Sequence, residues 1–366
     1  MKKKLLKPPS SNGEIIILPD RVSFLGGVTR AHTIGVAHQP HFFHPGIAVK
    51  FLTLEAAPRG KKEIVFLDAE SVRLGVKIPA RCSPRVPELR AVEFINTERL
   101  MYDYPAPSEN SFSQFLGRIE AVLREASPRG LKECISNFLT FKEIVMARTG
   151  RKLLREILAE SFIEYYGLQM PYHFLSEILR GDEFHDLFSR IYADHKKFSD
   201  VFNSALDEYR KEFRFRYRNF PFPRLGEDEL PFWVVRDGVR ARCFKKEVDA
   251  GGIKNLVIFP RATTLTLFLR LYRFDFFIHG VGGWNYEWIQ DRIIERFFKK
   301  TPPPYAAASG TFLLDSLADR ELPYFLFSPR EIRQRVREFM SPGQSAKIKG
   351  GITKSIDQQQ NTENNK

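Results

Sequence analysis

Four of the eight histidines of this chain, His32, His38, His41 and His44, fall between positions 32 and 44. Three of them sit in one turn, Ala37-His38-Gln39-Pro40-His41-Phe42-Phe43-His44-Pro45-Gly46. A neutral imidazole exchanges a proton near neutral pH, and an imidazolium binds phosphate or carboxylate. Gln39 adds an amide to the same turn. The helix expected to follow adds unpaired N–H groups for an anion. The His-x2-His-x2-His spacing also raises zinc. Two prolines must bend such a loop before its imidazoles converge, and no cysteine lies near, so zinc is the poorer reading.

A second turn, Phe276-Phe277-Ile278-His279-Gly280-Val281-Gly282-Gly283, runs from an apolar strand into a histidine and three glycines, then into a helix near Trp284. Glycine lets backbone approach a ligand closely, and a helix start leaves N–H groups free. The spacing Gly280-x-Gly282-Gly283 is not the dinucleotide fingerprint. Two smaller features point to the same edge of a sheet. Asp68 and Glu70 follow the apolar run 63–67 at a strand's end, where an acid can hold a substrate hydroxyl or amine, or a metal, or merely form a turn. Arg261, in Pro260-Arg261-Ala262, can pair with a carboxylate or phosphate.

The elements that must position these residues read as follows. Residues 14–18, 34–37, 63–68 and 72–78 are β-branched-rich runs bounded by Gly, Pro or Asp, with 92–95 a further candidate strand. Residues 47–57 have helical composition, giving strand–turn–helix–strand, the start of a parallel α/β unit. Between 110 and 217 apolar residues recur at helical spacing, as in Phe115, Ile119, Val122, Leu123 and Leu154, Ile157, Leu158, Phe162. The sheet is expected to resume at Pro231, with strands at 232–235, 240–244, 256–259 and 275–278 and helices at 263–272 and 284–299. The domain reading is therefore a first half of the core over 1–109, a helical insertion over 110–220, a second half over 221–340 and a disordered tail over 341–366.

With 366 residues, 43% hydrophobic and 28% charged, the composition excludes a mainly disordered chain. The 33 Phe residues favour a core of broad, flat contacts. No run of 18 apolar residues exists, so no membrane-spanning helix is expected. The basic start lacks an apolar leader core and the three cysteines lie far apart, so a cytoplasmic location is expected. A net charge of +13 suits an anionic small molecule, a nucleic acid or an anionic surface. Basic and aromatic residues interleave over 209–224, the composition of a single-strand groove, although no RNA-module motif accompanies it.

Taken together, the motifs carry a resemblance. His38-Gln39-Pro40, Phe43-His44-Pro45-Gly46 and Lys50 resemble the first turn of proteins related to the cysteine-adding enzyme of bacillithiol biosynthesis. Pro260-Arg261-Ala262, Thr266, Asp275-x-Phe277-Ile278-His279-Gly280-x-Gly282-Gly283 and Tyr286 resemble a bacterial family sharing that turn, as do Asn203, Tyr209-Arg210 and Pro231-Phe232-Trp233. The likeness spans roughly 34–300. It implies an α/β fold with a Rossmann-like parallel sheet core and a helical insertion, and a small-molecule ligase or transferase acting on an anionic or nucleotide-like substrate. His38, His41 and His44 would then handle phosphate or a transferred proton. His279 and the amides of Gly280, Gly282 and Gly283 would hold the other side of the ligand, with Gln39, Lys50, Asp68, Arg261 and Tyr286 around it. Trp284 and Asn285 depart from the family, and His41 replaces a smaller residue, so the substrate does not carry over. ATP with magnesium is the cofactor to consider. The rival reading is a nucleic-acid-binding protein using 209–224.

Overall fold

The computed structural model describes residues 15–18, 21–81, 88–125, 131–213, 221–251, 255–314, 317–318 and 322–341. The chain opens with β1 (Ile15–Leu18), α1 (Arg21–Val28), β2 (Thr33–His38), α2 (Pro45–Ala56) and β3 (Lys61–Phe66). A long hairpin follows, β4 (Ser71–Arg81) and β5 (Glu88–Leu100), and then α3 (Glu109–Glu125), α4 (Leu131–Met146) and α5 (Leu154–Tyr166). Next come β6 (Tyr172–Phe174), α6 (Leu175–Ile178), α7 (Asp182–Ala193) and α8 (His195–Glu212). The last third holds β7 (Glu229–Arg236), β8 (Val239–Phe244), α9 (Lys245–Gly251), β9 (Ile258–Pro260), α10 (Ala262–Phe268) and β10 (Phe276–His279). It ends with α11 (Val281–Trp284), α12 (Glu287–Ile293), β11 (Tyr305–Gly310) and α13 (Pro329–Met340). Among the described residues no helix is long and apolar enough to cross a membrane.

The central sheet has the order β1-β11-β10-β2-β3-β6. Five strands, β11 to β6, run parallel, and β1 closes one edge antiparallel to β11. The core is thus α/β and Rossmann-like. Strand periodicity sorts the side chains into two layers. Ile34, Val36, Ile64, Phe66, Phe276 and Ile278 enter one core with α2 to α5. Ala37, Val65 and Phe277 enter the other with α8, α10 and α12. Phenylalanine dominates both.

Several sequence expectations change. The runs at 72–78 and 92–95 pair only with each other, as a hairpin outside the sheet. The strands after Pro231 form a separate three-stranded antiparallel sheet, β8-β7-β9, so the parallel sheet resumes only at β10. The segment 110–220 is not wholly an insertion, because its β6 pairs with β3 as an edge of the main sheet. β11, alanine-rich, had no strand signal at all. The tail beyond 341 lies outside the described residues.

Asp68, just past β3, is fully buried and ties this edge together. Arg155 Nη1 donates to its Oδ2 at 2.5 Å, and the Ser176 N–H and hydroxyl donate to it at 2.9 and 2.6 Å. Its carboxylate is taken up by internal donors, so the expected part in orienting a substrate gives way to a brace between β3, α5 and α6. Removing one partner of a buried ion pair leaves the other charge uncompensated. Asp68→Ala is expected to lower unfolding free energy by about 3–5 kcal/mol in urea titrations, a cost that a ligand-facing carboxylate would not carry.

Candidate functional site

The two expected turns end neighbouring parallel strands. β2 and β10 pair with Val36 opposite Ile278, so His38 and His279 lie at adjoining carboxyl ends. From β2 the chain crosses by α2 toward β3, and from β10 it crosses by α11 and α12 toward β11, on the opposite face and in the opposite direction. The order of strands therefore reverses between β2 and β10. At such a reversal the two chains leave the carboxyl ends for opposite faces, and ligands of open α/β sheets bind in the crevice between them.

The register also fixes where each ring points. His38 shares its face with Val36 and meets Phe43 edge-on at 4.8 Å between centroids. His279 shares the Phe277 face and meets Phe277 and Tyr286 edge-on at 5.3 and 5.8 Å. The two rings face opposite layers across the crevice. Lys50, from α2, links them electrostatically. Its Nζ donates to the Ala37 carbonyl at 2.7 Å and is 2% exposed. Burial lowers the Lys50 pKa to about 7, and its charge in turn disfavours protonation of both His38 and His279.

Hydrogen bonds assign the tautomers. His38 Nδ1 lies 2.9 Å from the Gln39 carbonyl, an acceptor only, so Nδ1 carries the proton and Nε2 the lone pair. His279 Nδ1 accepts from the Gly280 N–H at 2.9 Å, so its proton is on Nε2. That Nε2 is 3.5 Å from Oε1 of the fully buried Glu287. Burial, with Lys50 adding to it, holds His38 well below its ordinary value; burial takes His41 to about 4, and burial with Lys50 and Arg270 takes His279 to about 3. These three imidazoles are neutral at pH 7. They do not act as imidazolium clamps on phosphate, and the cation of the crevice is Lys50.

Behind His279 stands a buried charge network that sequence reasoning missed. Arg270 lies in a π-helical turn, Leu269–Arg273, that continues α10. It donates to Glu287 Oε2 at 2.5 Å, to Asp291 at 2.7 Å and to the Pro303 carbonyl at 2.6 Å, and it stacks over Tyr305. Burial raises the Glu287 pKa, with Arg270 opposing. The local signal was an acid, Glu287, four residues after the Gly282-Gly283 pair.

Two glycines are required by close approach. A Cβ on Gly46 would run into the Gly310 carbonyl at the end of β11, so Gly46 lets α2 start against the sheet. A Cβ on Gly283 would overlap the His279 ring itself. Of the remaining expected residues, His44 occupies the N-cap position of α2 without a side-chain cap bond. Tyr286 lies at the edge of His279, and Gly282 is exposed. α11 has four residues, so the glycine amides belong to a single turn rather than a long helix. Arg261 does not reach this site with a free guanidinium: it donates to Glu229 at 2.6 Å and stacks on Trp233. In the 209–224 stretch, Arg210 and Arg224 both engage Asp207, and Tyr209 is buried. Arg214, Arg216, Arg218, Phe215, Tyr217 and Phe220 lie outside the described residues. Among the described residues, no three His, Cys, Asp or Glu side chains are grouped to hold a metal ion.

Comparison with protein-family models and with curated protein sequences gave no match.

Each depressed imidazole favours the fold above pH 6.5, and that contribution is lost as pH falls through the folded value. Urea midpoints are therefore expected to drop between pH 6.5 and 4. A flat profile there would mean the rings are not held neutral. Gly283→Ala is expected to cost about 1–3 kcal/mol by overpacking. It should also push the His279 ring outward, so that NMR titration finds it near the ordinary 6.5 instead of about 3.

Proposed function

We propose that this chain is a small-molecule ligase or transferase whose substrate spans the crevice between β2 and β10. One observation carries the reading: at the point where strand order reverses, a buried lysine held on the Ala37 carbonyl acts on two neutral histidines of opposite tautomer, with its own amine lowered to about 7. Perturbed groups of this kind at a sheet's carboxyl edge are characteristic of proton-transfer sites.

In this reading His38 Nε2 takes the proton from an attacking amine, hydroxyl or thiol. Lys50 pairs with the anionic end of the substrate, or returns a proton to a leaving group, since an amine with pKa about 7 does either at little cost. His41 and His44 wall the crevice on the α2 side. His279 holds the far side of the ligand, its ring set by Gly283 below and Glu287 beyond. Asp68 and Arg261, engaged internally, take no part. The thiol-adding chemistry of the bacillithiol-type family that the motifs resemble fits this scheme, with the thiol coming from the substrate, because the described cysteines, Cys134 and Cys243, are buried elsewhere.

Lys50→Met tests the reading with two measurements. The folded amine holds its proton more weakly than the unfolded one, so the wild type gains stability as pH rises from about 7 toward 10.5. The variant should be more stable than wild type at pH 6.5 by about 2–4 kcal/mol, with that excess shrinking toward pH 10. In thermal melts with pyrophosphate, ATP with Mg²⁺, cysteine and a short oligonucleotide, an anionic small molecule should stabilise wild type and not Lys50→Met. Equal stabilisation of both proteins by the oligonucleotide alone would sink the enzyme reading in favour of nucleic-acid binding.

A further inference from the structure

α12 and the turn that leads into it from β10 hold polar atoms that the fold leaves without hydrogen bonds. Gln290 is fully buried, and neither its Nε2 nor its Oε1 makes a hydrogen bond. Glu287, one helical turn earlier and therefore on the same side of α12, leaves Oε1 without a hydrogen bond. His279 Nε2 and Asn285 Oδ1 are in the same condition. All four lie between positions 279 and 290, directly after the strand end that opens the crevice.

Buried polar groups are almost always satisfied, and a side-chain amide with both ends idle forfeits about 1–3 kcal/mol. One such atom is an irregularity. Gln290 holds an idle donor, Nε2, and an idle acceptor, Oε1, on one side chain, with Asn285 Oδ1 a further acceptor in the preceding turn, while His279 Nε2 and Glu287 Oε1 face each other at 3.5 Å. The charge of Glu287 is already balanced by Arg270 at 2.5 Å, so the set does not call for a cation. A net negative ligand would meet the acceptor oxygens of Gln290 and Asn285. What fits is a neutral group with N–H and C=O side by side, since an amide side chain pairs bidentately with such an edge. Tyr286, partly buried at the edge of His279, offers apolar surface to whatever carries that group.

We infer that Glu287, Gln290, Asn285 and His279 form a subsite for an uncharged carboxamide or lactam edge of the ligand. This deepens the proposed function, because it gives the substrate a neutral hydrogen-bonding end opposite the anionic end at Lys50. Water filling the same set is the alternative, and it predicts opposite behaviour on mutation.

The test compares wild type, Gln290→Leu and Lys50→Met, with benzamide as probe and benzoate and benzylamine as charged controls, each at roughly 20 mM. Leucine nearly matches glutamine in volume and removes the idle amide, so Gln290→Leu is expected to raise the melting temperature of the free protein. Benzamide is expected to raise it by about 1–2 °C in wild type and Lys50→Met and not in Gln290→Leu. Saturation-transfer NMR should follow the same pattern, with weaker signals for both controls. A lower melting temperature for Gln290→Leu, or benzamide binding unchanged by it, would overturn the subsite. Because Lys50→Met keeps the subsite intact, loss of anion binding there with benzamide retained separates failure of the proposed reaction from failure of this inference.

Discussion

β2 and β10 lie side by side in one parallel sheet yet send their chains to opposite faces, and the geometry of the candidate site depends on that constraint. Because the two crossovers leave for opposite faces, the carboxyl ends at the junction are flanked by α2 on one face and by α12 on the other. Parallel register then places His38 on the α2 side and His279 on the α12 side. Each turn must bring its helix close to the sheet without closing the gap. Gly46 does this against the Gly310 carbonyl, and Gly283 does it under the His279 ring. The two glycines are conditions of the topology as much as of any ligand.

The second consequence is electrostatic. Enclosing groups at the junction favours their neutral forms: His38, His41 and His279 lose protons, the Lys50 amine falls to about 7, and Glu287 is raised. Solvated side chains of the same types would serve folding better. Arg270 offsets the largest of these costs, gripping Glu287 and Asp291 while covering Tyr305. Where a fold keeps unfavourable ionisation at a strand edge and builds a fully buried arginine behind it, function is the economical explanation.

Local sequence carried part of this. The unit β2–α2–β3 was legible because β-branched runs, a proline at the helix start and a helical pattern sit within thirty-odd residues and agree with one another. The turn after β10 was legible because an apolar strand and a glycine cluster are adjacent. Convergence of the two turns followed from their place at strand ends, although the sequence held nothing on the direction of each ring. β6 escaped because three residues amid helices show no periodicity, and β11 because an alanine run has no strand preference of its own; neighbours on the sheet decide both. Asp68 and Arg261 were read as ligand contacts since their partners, Arg155 and Glu229, are distant in sequence. Arg270 was invisible for the same reason.

The two walls of the crevice differ in kind, and the difference bears on what sort of reaction the site suits. On the α2 side stand a titrating amine and an imidazole with an open lone pair, groups that move protons and attract negative charge. On the α12 side stand a compensated carboxylate and idle amide atoms, groups that hold and do not react. A hydrolase needs one bound substrate and water. A transferase or ligase must keep two reactants in one dry space, one gripped while the other is activated. A crevice whose walls belong to opposite faces of a sheet supplies that division of labour without further elements, because each wall is built by its own crossover. That asymmetry, more than any single histidine, is what the proposed transfer between two small molecules would draw on.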